Sequence, residues 1–181
     1  MGLLGSNYFV KNPTIDLTKV NYMVNMDMVG RLKKNKTLAI YGTGTSPVWD
    51  ETIAKGNSKD AFKLKTNVSG VGPSDHTSFY LQDIPVLHFF TGQHVDYHKP
   101  SDDFEKLNYE GMLQIANYIH RIISEVNPQG KLAFTKTVNE ADDAPRFKVT
   151  LGVVPDYLSD GKGMRIDGIS ENRPAQKAGL Q

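Results

Sequence analysis

The chain has 181 residues, 39% of them hydrophobic and 23% charged, a formal net charge of +1 and no cysteine. That balance supports a packed core and excludes global disorder, and the mixed charge gives no nucleic-acid or membrane-surface footprint. The lack of cysteine excludes disulfides, thiolate metal sites and a cysteine nucleophile, and no apolar run reaches the roughly 18 residues of a membrane-spanning helix.

Residues 1–11 read as the tail of a helix that Asn12-Pro13 ends. Their start lacks the basic region and long apolar core of a signal peptide. Val20–Val29 reads as a strand, Gly30 and the basic run Arg31–Lys36 as a turn, and Thr37–Gly42 as a second strand, antiparallel to the first across that turn. Ser46 is placed to cap a helix with Pro47 at its first position and Gly56 past its end, turning Val48, Trp49 and Ile53 inward. Phe62–Val68 alternates, as a half-exposed edge strand does, and its lysines discourage sheet-to-sheet pairing.

The loop Ser69–Asp75 leads into a short helix over His76–Leu81, capped by Ser74 or Asp75. Ile84–Phe90 is almost unbroken apolar sequence, the pattern of a strand buried on both faces. Asn108 caps the strongest helix, in which Met112, Ile115, Ala116, Ile119, Ile122, Ile123 and Val126 recur at helical spacing until Asn127-Pro128 stops it. Strands alternating with helices predict an α/β fold with a mixed sheet. Three units follow: a domain over 1–127, a polar linker over 128–145, and a further β module over 146–181 too short to bury its own core.

Chemistry concentrates directly after the buried strand. Thr91–Asp102 holds two histidines, two aspartates and a tyrosine within twelve residues. Ligands in open α/β sheets bind beyond the carboxyl ends of strands, and Asp27 stands at such an end too. Asp27 and His98 are suitable zinc donors, although two are fewer than the three a catalytic zinc normally has. His94 reads equally as ligand or loop residue, whereas His88 and His120 read as hydrogen-bonded structural histidines. The run Ser74-Asp75-His76 is not a hydrolase triad, since consecutive side chains cannot converge.

Four motifs in order carry a resemblance: Gly2-Leu3-Leu4-Gly5-Ser6, Asn25-Met26-Asp27-Met28-Val29-Gly30, Gly72–Phe79 around Ser74-Asp75-His76, and Asp96-Tyr97-His98-Lys99-Pro100-Ser101-Asp102. Residues 2–126 resemble the C-terminal half of the zinc aminopeptidases of peptidase family M28. The resemblance implies a partial mixed-sheet zinc-exopeptidase sandwich acting on the N-termini of peptides with two zinc ions. It implies that Asp27 binds one zinc and His98 the other, that Tyr97 donates to the developing oxyanion, and that Asp75 and Asp102 support the ligands. The family's remaining ligands and general-base glutamate would precede Met1, so the chain is expected to be an inactive fragment of the parent enzyme.

Residues 147–180 resemble the first half of a PDZ domain, with Leu151-Gly152-Val153-Val154 as a carboxylate-binding loop for C-terminal peptides. Relatives with this domain order imply a periplasmic or secreted location. Two alternatives share the fold: a glutaminyl-cyclase-like transferase with a single zinc, and a non-catalytic peptide-binding module.

Overall fold

A computed structural model describes residues 3–59, 62–137, 151–155, 163, 166–169 and 173–180. Helix α1 (Leu4–Lys11) is followed by β1 (Met23–Asp27), β2 (Thr37–Tyr41), α2 (Trp49–Gly56), β3 (Lys63–Asn67), α3 (His76–Tyr80), β4 (Val86–Phe90) and α4 (Tyr109–Val126). The four strands form one mixed sheet in the order β1-β4-β2-β3. β1 runs parallel to β4, β2 parallel to β3, and β2 antiparallel to β4.

The strand alternation divides the side chains between two faces. On one face, Leu38 and Ile40 of β2 and Leu87 and Phe89 of β4 pack with Trp49 and Ile53 of α2 and with Ile115, Tyr118, Ile119, Ile122 and Val126 of α4. On the other, α3 lies against β1 and β4, and α1 packs on α3 through Phe9–Phe79 ring contact at 5.9 Å and Ser6–Ser78 at 2.9 Å. Helices on both faces of a mixed sheet meet the expected fold class, and β4, buried along four of its five residues, is one of its two inner strands. β3 is an edge, as its lysines indicate, and Asn108 caps α4 by accepting from the Gly111 amide at 2.9 Å.

Several expectations are corrected. β1 and β2 do not form a hairpin: β4 inserts between them, because its doubly apolar sequence is stabilised most at the centre of the sheet. Neither Ser46 nor Ser74 nor Asp75 caps a helix with its side chain; α2 starts after Val48 and α3 after Asp75 without one. His120 is exposed on α4 rather than structural. The segment read as a linker is fastened down as far as residue 137. Leu132 is buried, the Leu132 amide donates to Asn21 Oδ1 at 2.7 Å, Thr135 N donates to Thr45 O at 2.8 Å, and Thr137 meets the Tyr80 hydroxyl.

Further on, β5 (Val153–Pro155) pairs antiparallel with β6 (Ile166–Ile169), and α5 (Pro174–Lys177) follows. Leu151 is exposed, and its carbonyl accepts from the Ala175 amide at 2.9 Å. Residues 138–150, which include the rest of the expected linker and the start of the next strand, lie outside the described residues.

Candidate functional site

Parallel pairing of β1 with β4 puts Asp27 opposite Phe90, so both strands end at one rim of the sheet. The segments that follow diverge from a common point, where the Thr91 hydroxyl donates to the Met28 carbonyl. Sixty-odd residues of sequence thus separate two loops that the sheet makes neighbours. Asp27 and the polar stretch from Thr91 stand together at this rim, where binding sites of open sheets form.

Asp27 is half-exposed, with 41% of its side-chain surface open. Its Oδ2 accepts from Ser74 Oγ at 2.5 Å and from Asn25 Nδ2 at 3.2 Å, and His88 Nε2 lies 2.9 Å away. The His88 contact, reinforced by Ser74 and Asn25 and opposed by partial burial, holds the carboxyl down to about 2. The group is therefore an anion at neutral pH. No hydrogen bond reaches Oδ1 among the described residues, which leaves one oxygen presented outward.

Ser74, not Asp75, supports Asp27. Successive residues entering a helix point about 100° apart, and the turn that aims Ser74 at β1 sends Asp75 outward, where it is exposed. Behind Asp27, His88 is 4% exposed and His76 0%, and the two rings stack at 4.5 Å. Burial pushes His76 down to about 3, so it stays neutral. Sequence reading assigned His76 no role; its place between a Gly-Pro loop and an apolar helix gave no sign of a buried imidazole.

The second loop carries Tyr97, partly buried, and His98, exposed, with ring centroids 4.0 Å apart. His98 adopts a left-handed backbone with φ of 55°. That conformation is uncommon outside glycine, although histidine is among the side chains that adopt it more often. Just before them, Asp96 is buried and engaged by Arg31 at 2.5 Å, Lys106 at 2.5 Å and Ser101 at 2.8 Å. The Lys106 and Ser101 bonds, with Arg31, hold it well below the usual carboxylate range. Asp102 lies 3.8 Å from Arg31 and 3.6 Å from His94 Nε2. Asp96 and His94 therefore build the loop from its buried side, Asp102 stands exposed at its edge, and Asp27 and His98 are open to solvent.

The donor chemistry suits zinc in kind: an ionised carboxylate and an exposed imidazole. It is incomplete in number, since no group of three or more metal-binding side chains occurs among the described residues. No helix in the described residues is long and apolar enough to cross a membrane.

The model of Peptidase family M28 matches residues 1–123. No curated protein matches by sequence. Among solved structures, a zinc aminopeptidase from Bacillus subtilis, BSAP, is similar with a TM-score of 0.56 and 26% identity, over 73% of this chain and 33% of that one. The LapA aminopeptidase of Legionella pneumophila is similar with a TM-score of 0.56 and 23% identity, over 68% of this chain and 35% of that one. An aminopeptidase from Aneurinibacillus sp. strain AM-1 has a TM-score of 0.56 and 24% identity, over 77% and 32% respectively. The chain thus spans about a third of the length of these structures.

Proposed function

The chain belongs to peptidase family M28, and from that membership we propose that its first domain is one wall of a zinc aminopeptidase site that releases N-terminal residues from peptides. The observation that supports the reading is that an ionised, half-exposed Asp27 ends β1 at the rim from which the loop bearing the exposed His98 leaves β4. In this reading Asp27 and His98 would each hold one of two zinc ions. Bound zinc supplies Lewis acidity toward a peptide carbonyl and a water acidic enough to ionise near neutral pH. Ser74 and Asn25 fix the Asp27 carboxylate so that its other oxygen stays directed outward. Tyr97, beside His98, donates its phenolic proton to the oxygen that gains charge as the carbonyl is attacked.

The remaining ligands and the general base belong, in this proposal, to the two-thirds of the neighbours' length that this chain does not span. Residues 1–181 alone are therefore expected not to cleave an aminoacyl-nitroanilide, and a longer product that includes in-frame upstream coding sequence is expected to do so. In that product His98→Ala and Asp27→Asn should each abolish hydrolysis and lower the zinc content. Full activity of His98→Ala would refute the reading.

For residues 146–181 we infer the first part of a PDZ-like module that takes a peptide carboxylate at Leu151-Gly152-Val153-Val154. An antiparallel strand pair preceded by Gly152 at a φ of 75° supports it. Binding of C-terminally free but not amidated peptides, read by fluorescence anisotropy, tests it.

A further inference from the structure

Arg31 belongs to none of the motifs that point to the site. It lies in a single 3₁₀ turn four residues beyond Asp27, with 14% of its side chain exposed. Its guanidinium reaches two segments at once: Asp96 Oδ2 at 2.5 Å and His94 Nδ1 at 3.1 Å in the loop after β4, with Asp102 at 3.8 Å, and the Lys106 carbonyl at 3.0 Å ahead of α4. Asp96 completes the junction by accepting from Lys106 and Ser101. The turn bearing Arg31 is itself held, since Gly30 O accepts from Asn108 N at 2.8 Å and Leu32 O from Asn108 Nδ2 at 2.9 Å, both at the start of α4.

We propose that Arg31 is a positioning residue that clamps the loop bearing Tyr97 and His98 to the end of β1, through Asp96, and so sets the spacing of Asp27 and His98. The link to metal spacing rests on the functional reading above; the clamp itself does not. The physical case is that the other ties around Tyr97 and His98 are local to the loop: the Tyr97 amide on His94 O, the Lys99 amide on Asp96 O and the Tyr97 ring edge against His94. His98 is exposed with a left-handed backbone, and the residue two before it, Asp96, carries the buried charge. A buried ion pair of this kind contributes little net stability, since desolvation offsets most of the Coulomb attraction. Its value lies in geometry: the planar guanidinium reaches the Asp96 carboxylate from Nη2 and the Lys106 carbonyl from Nη1, two nitrogens held at a fixed separation that the single nitrogen of a lysine ammonium does not reproduce.

The test needs neither zinc nor substrate. In Arg31→Met of the 181-residue chain, the amides of Tyr97, Lys99 and Asp102, which close the loop's turns onto His94 O, Asp96 O and Lys99 O, should exchange with solvent about tenfold faster or more. The contacts between the Tyr97 and His98 rings should be lost from the proton spectrum, and the Ile115 and Ile119 amides of α4 should be unchanged. Arg31→Lys should not restore the slow exchange. Lys106→Met, which removes one donor from a half-exposed position, gives a milder change in the same direction and keeps the test available if Arg31→Met does not fold.

Unchanged exchange at the three loop amides would overturn the clamp. Equal acceleration in α4 would do so too, by showing that Arg31 merely supports the whole fold. In the zinc-loaded longer product, Arg31→Met is expected to weaken zinc binding about 10- to 100-fold, and unchanged affinity would overturn the positioning role. Full activity of His98→Ala there would instead overturn the functional reading and leave the clamp standing.

Discussion

His76 is fully buried, and both its ring nitrogens are without a hydrogen-bond partner among the described residues. Its pKa falls from 6.5 to about 3 because burial disfavours the imidazolium, with nearby His88 acting in the same direction. The unfolded chain therefore binds a proton in this window that the folded chain does not. Stability is full above pH 6.5 and declines as pH falls toward 3, by up to about 1.4 kcal/mol per pH unit. Asp27, depressed from 3.8 to about 2, adds a second loss only below pH 3.8. His94 is lowered by burial as well and adds to the same slope, so urea denaturation of His76→Leu should show a shallower slope between pH 6.5 and about 4, and an unchanged slope would count against this account. At this scale the sequence indicated the half-exposed carboxylate and the exposed imidazole. It missed the buried imidazole, the support from Ser74 and the Arg31 junction, because each depends on what a side chain meets across the fold.

Among elements, the segment over 131–137 has no regular structure yet acts as a strap across the sheet. Tyr80 is its anchor: the hydroxyl accepts from the Thr137 amide at 2.9 Å and donates to the Thr137 carbonyl at 3.2 Å, while Thr137 Oγ1 accepts from Gly70 N at 3.0 Å. Gly70 is required beneath that ring, since a Cβ there would lie 2.1 Å from a Tyr80 ring carbon. Gly70→Ala should therefore displace the ring and cost about 1–3 kcal/mol by overpacking, read as a lowered midpoint in thermal denaturation. Tyr80→Phe keeps the ring and removes the hydroxyl, so about 1 kcal/mol is expected, with faster limited proteolysis after residues 131–137. Unaltered cleavage there would argue that the strap is held by Leu132 alone. The polar composition concealed this strap, because its large apolar side chains are one buried leucine and one phenylalanine packed on Tyr80 at 5.4 Å.

For the whole molecule, the two outer strands of the sheet differ. β3 carries Lys63 and Lys65, whereas β1 reads Met23-Val24-Asn25-Met26-Asp27 with no lysine or proline. In the parallel ladder the Met23 amide bonds Pro85 O toward β4, so by alternation the backbone groups of Val24 and Met26 face away from it. Strands of this kind invite pairing with another chain. The 181-residue chain is expected to self-associate as its concentration rises, and Met26→Lys, at a half-exposed position, should shift sedimentation back toward the monomer. Sedimentation identical for both proteins would place the association elsewhere.

What the sequence determined by itself was local. Helical spacing set α4, an unbroken apolar run set β4, and the order of four motifs set the family. The two elements follow from periodicity and composition within windows no longer than one element and its cap, whereas the family resemblance rests on motif residues and their order along the chain. Only the tertiary structure decided that β4 lies between β1 and β2, because strand order depends on which pairings bury both faces together. That insertion brings Asp27 and Phe90 into register and turns two distant loops into one rim. It also decided that Arg31, read as part of a basic turn, spans the rim, since a charge partner 65 residues away in sequence leaves no local trace.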